Sequence, residues 1–417
     1  MNCKYFFDSH FHLMNLSHPD FLSLSGFINK NTTEIFKSGA FSSNYILTSQ
    51  NIKNLALINS IMNTTFGFEK DMSRTLEMVE KDLKGKFLEN KDKEKRFNSF
   101  HSYIKDNKFT FRNKTYDKIG ICPLVMDFSR NKIEDKRYYY TSQSIDRITP
   151  YAEDTINAID LYHKKNPDGI LEFFPFIGLN PPKHDKKFII HMLETYVNTS
   201  KDKKEETTTK RFYGVKVYPP LGTNPWPEGN NEEMEKVNII YDFCQANRVS
   251  IITHCDNQGF KGLPPKISDL YTCPKTWEKV LKNYPNLCLD FAHVGYQYTI
   301  QDDISTKRWY FKPPPLRNEW FLDIIRLIKT YPNVYTDLSF TGAMKGFYIQ
   351  LIHHLSQDVD CPLLLSKILF GSDFSVNLIK VSSYLEYYNI FDNSFINDEI
   401  VHQFASENPQ EFLGINN

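Results

Sequence analysis

The sequence predicts an α/β fold, a (β/α)8 TIM-like barrel, on three observations. Eight short apolar, β-rich runs recur along the chain, amphipathic helical stretches separate the later ones, and the runs are continuously apolar where a half-exposed strand would alternate. Strands alternating with helices point to a parallel sheet, and eight such units select a closed barrel over an open doubly wound sheet.

In chain order the candidate strands are 5–7, 119–128, 170–178, 213–218, 249–253, 287–292, 334–338 and 368–370. Between the later ones, residues 232–248 place Val237, Ile240, Tyr241 and Cys244 on one helical face. Residues 319–329 repeat the pattern with Phe321, Ile324, Ile325 and Ile328. Asn and Pro mark strand entry in YPNL before Cys288 and YPNV before Tyr335. The spacing is uneven, because residues 14–118 form a connection far longer than an ordinary βα loop. Within it Met72, Leu76, Val79, Leu83 and Phe87 make a helical stripe, so the region reads as a largely helical insertion. It is either a lid over the barrel mouth or a decoration remote from it. The expected organisation is one barrel domain over 1–417, with 14–118 as a subregion.

Composition sets the class. The 417 residues are 41% hydrophobic and 15% aromatic, enough for a large core. Fifty basic residues balance fifty acidic ones, which argues against nucleic acid or an anionic membrane as the main partner. No apolar run reaches the roughly 18–20 residues of a membrane span, and MNCKYFFDSHFH lacks a signal-peptide pattern. The seven cysteines contain no CxxC pair, so neither a disulfide framework nor a cysteine zinc site is expected, and a reducing cytoplasm fits. The mixed-charge runs at 91–96 and 201–210 read as solvated loops.

The residues that carry chemistry stand at strand ends. DSHFH ends the first strand, and residues i and i+2 of an extended strand share a face, so His10 and His12 can reach one metal. An HxH pair alone is weak evidence. The fourth strand carries Lys216 among apolar neighbours, the fifth ends on His254, the sixth on His293 and the eighth on Asp373. In a barrel these C-terminal ends converge on one face, where active sites are built. Imidazoles with a carboxylate suit zinc, the first expectation, or manganese or iron.

DSHFH, GVKVYPPLG, ITHCD, FAHVG, NVYTDLS, ILFGSDFS and the C-terminal NPQEFLG together resemble the amidohydrolase superfamily, and within it the amidohydrolase-related branch. The resemblance covers residues 5–12 and 165–414 and leaves the insertion unmatched. It implies His10 and His12 as paired ligands, His254 as the ligand of the fifth strand, and His293 as a ligand or catalytic group. Asp373 would touch the metal and move the proton. Lys216 matches the lysine that, in members resembling dihydroorotases and phosphotriesterases, is carboxylated and bridges two metals. The other reading is an ordinary lysine paired with an acid, so one or two ions are expected.

The activity this implies is metal-dependent hydrolysis of an amide, lactone or other ester in a small molecule. The alternatives are a metal-dependent decarboxylase or hydratase of the same superfamily, and a barrel scaffold without turnover. Specificity is expected on the strand-to-helix loops. Trp226 follows the fourth strand, and Arg308 and Trp309 follow the sixth, where aromatics with an arginine suit a substrate holding a ring and a carboxylate. Cys255 is expected to point away from the metal face, and Asp8 to support its neighbours by hydrogen bonding. Relatives are often dimers, which makes a homodimer one expected arrangement.

Overall fold

The computed structural model describes residues 3–15, 18, 71–85, 102–129, 146–199, 210–298, 318–344 and 346–415. Its centre is a parallel barrel. Strand β1 (Cys3–Phe11) is followed by a short antiparallel hairpin, β2 (Ile104–Lys105) and β3 (Lys108–Phe111), and then by β4 (Lys114–Pro123), which pairs parallel with β1. Next come β5 (Leu171–Phe173), β6 (Phe176–Gly178), β7 (Gly214–Val217), β8 (Ser250–Thr253), β9 (Leu289–Phe291), β10 (Val334–Asp337) and β11 (Ile368–Leu369). Parallel pairing runs β4 to β5 and, in the second sheet, from β6 through to β11.

Two seams close the two sheets into one barrel. At the first, Leu124 bridges Phe176, and the Val125 amide donates to the Phe176 carbonyl at 3.0 Å. The run expected as one strand over 170–178 is thus two pieces, β5 and β6, split at Phe174 and Pro175, where proline supplies no ladder donor. At the second seam the amides of Ser9 and Asp373 donate to the carbonyls of Phe370 (2.9 Å) and His10 (2.7 Å), and Phe11 bridges Phe374. The first strand therefore pairs with the last.

Alternate residues fill the interior. Tyr5, Phe7, Cys122, Leu124, Phe174, Phe176, Ile252, Tyr335 and Leu369 form one buried cluster, while the opposite strand faces pack on the helices. The helices expected over 232–248 and 319–329 are observed at Asn231–Asn247 and Glu319–Thr330, each capped by an asparagine, Asn230 and Asn318. In the long connection, helix Met72–Leu83 buries Met72, Leu76, Val79 and Leu83; Phe87 lies outside the described residues. No helix among the described residues is long and apolar enough to cross a membrane.

Candidate metal centre

The site begins with a register shift. Tyr5 and Phe7 of β1 point into the barrel, so simple alternation would send His10 and His12 outward. A bulge between Asp8 and Phe11 resets the parity and turns both imidazoles inward. Asp8 is left facing outward, where it accepts from the Ser372 amide (2.8 Å) and the Tyr384 hydroxyl (2.8 Å). Burial pushes its carboxyl up to about 7 against those hydrogen bonds.

Strand β7 sends Lys216 inward, and β8 leads to His254 and Asp256, both buried. After β9 the chain takes a left-handed backbone at His293 (φ 61°) and Val294 (φ 49°), and positive φ recurs at Phe340 (φ 58°) and Asp373 (φ 62°). L-residues avoid this region, and four non-glycine examples at one rim mark a site where side-chain aim outweighs backbone comfort.

Three of the imidazoles share one design. His10 Nδ1 donates to Asp337 Oδ2 at 2.7 Å, His12 Nδ1 to the Leu124 carbonyl at 3.2 Å, and His293 Nδ1 lies 2.8 Å from Ser339 Oγ. That leaves Nε2 of each turned toward the centre: His10 Nε2 and His12 Nε2 lie 3.4 and 3.2 Å from Asp373 Oδ1. His293 Nε2 lies 3.2 Å from His254 Nδ1, and His254 Nε2 lies 3.0 Å from Asp256 Oδ1. Outer partners that fix one ring nitrogen and free the other are the usual support of metal-ligating histidines. His10 Nε2 is buried and has no hydrogen-bond partner among the described residues. Ligand atoms of His10, His293 and Asp373 lie within 4.8 Å of one another, as do those of His254, Asp256 and His293.

Electrostatics point the same way. Burial, helped by the Lys216 charge, pushes the His10 imidazole down to about 3, and burial also lowers His254; both are neutral and ready to donate a lone pair. Burial alone would raise Asp373, but its hydrogen bond to His12 and the nearby imidazoles hold it below the usual carboxylate range. His254 does the same for Asp256, and His10 for Asp337. Beneath them Asp290 is driven toward its protonated form by burial and by Asp337. Lys216 is pushed down to about 8 by burial, against the pull of Asp337, Asp373, Asp290 and Asp256, and its Nζ has no hydrogen-bond partner among the described residues. Three ionised carboxylates thus share a closed interior with one ammonium. A buried excess of negative charge is what a divalent cation would offset. The donors present fit such an ion.

The site opens into a cleft with aromatic walls from Tyr218, Phe260 and Phe340 and His12, His254, Asp256, His293 and Asp373 among its polar lining. Of the residues singled out in the sequence, His10, His12, His254, His293 and Asp373 come together here, and Lys216 lies buried in the barrel interior. Trp226 is half-buried and packs on the core, outside the cleft lining. Arg308 and Trp309 lie outside the described residues. Cys255 is buried with its Sγ 3.7 Å from the Thr272 carbonyl, on the packing side.

Sequence reasoning missed Asp256, Asp290 and Asp337. Asp256 follows His254 at i+2, the spacing already used for His10 and His12, and Asp290 and Asp337 are acids inside otherwise apolar strands. Those signals were available.

No match was found among curated proteins. Solved structures of similar outline include a 5-carboxyvanillate decarboxylase from Novosphingobium aromaticivorans, complexed with manganese and 4-hydroxy-3-methoxy-5-nitrobenzoic acid. It is 9% identical, with 99% of this chain and 96% of that one covered and a TM-score of 0.48. A dihydroxybenzoic acid decarboxylase from Polaromonas, with bound manganese and 2-nitroresorcinol, is 12% identical over 100% and 98% of the two chains, with a TM-score of 0.44. A probable 2-pyrone-4,6-dicarboxylic acid hydrolase from Acinetobacter baumannii, with citric acid bound, is 12% identical over 70% and 99%, with a TM-score of 0.39. At these identities and scores the likeness does not extend to substrate or reaction. The family model described as Amidohydrolase matches residues 127–415, which hold every candidate ligand above except His10 and His12, and the chain belongs to that family.

Proposed function

We propose that the protein is a divalent-metal-dependent enzyme that cleaves a bond at an acyl or carboxyl group of a small molecule. The observation that carries this reading is the set of four buried imidazoles, three held by an outer partner at Nδ1, arranged around the ionised Asp373. His10, His12 and Asp373 would hold the ion, with His254 and His293 completing the donor set. Zinc, manganese and iron all suit these ligands. A bound divalent ion acts as a Lewis acid on a carbonyl or carboxyl oxygen and acidifies water.

Two reactions fit the machinery. Hydrolysis is favoured by the charge state of Asp373: a carboxylate held ionised accepts a proton from attacking water and then delivers it to the leaving group. His293 presents an Nε2 lone pair to the centre, because its Nδ1 hydrogen goes to Ser339, so it is placed to hold the ion or to take up a proton. Decarboxylation is favoured by the walls, because Tyr218, Phe260 and Phe340 form a slot suited to a flat ring. There Asp373 would first take up a proton from solvent and then pass it to the ring carbon, which keeps the electron pair of the C–C bond as carbon dioxide leaves. Lys216, as a bridging carbamate or as a buried ammonium, belongs to the same proposal, as do substrate contacts from Trp226, Arg308 and Trp309.

The test is a metal count on protein purified without added metal, followed by a panel of esters, lactones, amides and hydroxybenzoates with carbon dioxide release monitored. One or two equivalents of metal, lost in His254→Ala, with turnover of one panel class, is the expected result. Asp373→Asn should lower that turnover about 10²–10⁴-fold. Failure to retain zinc or manganese after reconstitution would overturn the reading.

A further inference from the structure

Resting on that metal-centre reading, we propose that His254 Nε2 and Asp256 Oδ1 chelate a second divalent cation, at a position of its own beside the ion held by His10, His12 and Asp373. This moves His254 out of the first ion's donor set. The ring hydrogens can be placed one by one. Ser339 Oγ donates to Asp337 Oδ1, so it accepts from His293 Nδ1 at 2.8 Å, and the Ser339 carbonyl accepts at 3.2 Å. His293 Nδ1 therefore carries the hydrogen and Nε2 the lone pair. His254 Nδ1 lies 3.2 Å from that lone pair and donates to it. A neutral imidazole has one N–H, so the lone pair of His254 falls on Nε2.

That Nε2 is buried and has no hydrogen-bond partner among the described residues. Asp256 Oδ1 lies 3.0 Å away but off the line of the lone pair, so the two stand side by side without a hydrogen bond. Two Lewis-basic atoms so placed in a buried site call for a cation in front of both. Two ligands of one zinc, each about 2.0–2.2 Å from it, stand about 2.9–3.4 Å apart, which includes this spacing. The space in front is kept open by Gly259 (φ +86°), where a Cβ would lie 2.8 Å from His254 Nε2 and 2.3 Å from the Tyr218 hydroxyl. The Gln258 amide anchors Asp256 Oδ1 at 2.7 Å. His254, Asp256 and Gly259 all line the cleft, so the remaining coordination positions face water and substrate. Nor can one ion serve everything: ligands of a single zinc lie within about 4.2 Å of one another. Among the described residues no set within even 4.8 Å joins His10 and Asp373 to His254 and Asp256.

The experiment counts manganese bound to metal-stripped wild type, Asp256→Ala and Asp256→Asn by equilibrium dialysis in bicarbonate-free buffer, with thermal melting of the metal-free proteins alongside. Wild type is expected to take up two equivalents in two steps, the second accompanied by a spin-coupled manganese signal. Both variants should keep the first equivalent and bind the second more than about 100-fold more weakly, a larger loss than the 10–100-fold that removal of an outer partner causes. Four results would overturn the second position: a wild type that saturates at one equivalent, variants that keep both, a folded Asn variant that loses both, or a second equivalent that appears only when bicarbonate is added, which would assign it to a Lys216 carbamate. A wild-type chain that binds no manganese would instead overturn the metal-centre reading itself, so the wild-type titration tells the two failures apart.

Discussion

At the scale of single residues, the centre depends on one place where a side chain is missing. Gly371 passes His10 so closely that a Cβ would lie 2.7 Å from the His10 Cβ and 3.2 Å from the Ser339 Cβ. Neither neighbour can yield: the His10 ring is pinned by Asp337, and Ser339 holds both Asp337 and His293. Gly371→Ala should therefore push His10 off its line to Asp373, at a cost of about 1–3 kcal/mol in stability. Metal affinity should fall at least about tenfold, as when a supporting partner is lost. Urea unfolding of the metal-free protein and chelator competition read the two effects separately. An unchanged affinity would mean that His10 is not a ligand. Asp337 makes the complementary case: it accepts from His10 Nδ1, from the His293 amide and from Ser339, so one carboxylate sets two imidazoles.

At the scale of elements, what the sequence made legible follows from burial. Helices Asn231–Asn247 and Glu319–Thr330 were readable because one face is apolar at helical spacing and an asparagine caps each start. Strands β7, β8 and β10 were readable as short apolar runs buried on both faces. The start of β4 was not, because Lys114–Lys118 is polar and earns its strand geometry from the β2–β3 hairpin beside it. The bulge in β1 was hidden too, since nothing in FFDSHF marks a parity change, and the left-handed turn puts His293 and Val294, which are not glycines, ahead of Gly295. The hairpin itself is tied down by Arg112. Its guanidinium donates to the carbonyls of Asp392 (2.7 Å), Ser394 (2.8 Å) and Ile396 and to the Asp398 carboxylate (3.0 Å). Arg112→Ala would leave those carbonyls without their donor in a half-buried place, at about 2–4 kcal/mol. Arg112→Lys should recover little, because an ammonium lacks the planar fork that reaches all of them. Chemical denaturation of both variants decides it, and a loss under 1 kcal/mol in the alanine variant would show that the anchor is incidental.

At the scale of the whole molecule, the candidate ligands sit on the seam that closes the barrel. His10 and His12 belong to the first strand and its end, Asp373 follows the last, and the seam between them is held by few backbone bonds, among them Asp373 amide to His10 carbonyl at 2.7 Å. A cation held by these three side chains would cross-link the first and last strands at that point. It would also offset the carboxylates that Lys216 alone leaves unbalanced. Metal binding should therefore stabilise the closed barrel beyond the site itself. By mass action an ion present at 100 times its Kd adds about 2.7 kcal/mol to the folded state. Saturating manganese or zinc should raise the melting temperature of chelator-treated protein by several degrees. Hydrogen exchange should slow at the Ser9 and Asp373 amides of the seam, and much less at the β4–β5 ladder, which bears no candidate ligand. Equal slowing at both places would mean general stabilisation with no staple at the seam. No slowing at either, with metal bound, would place the ion away from the first and last strands.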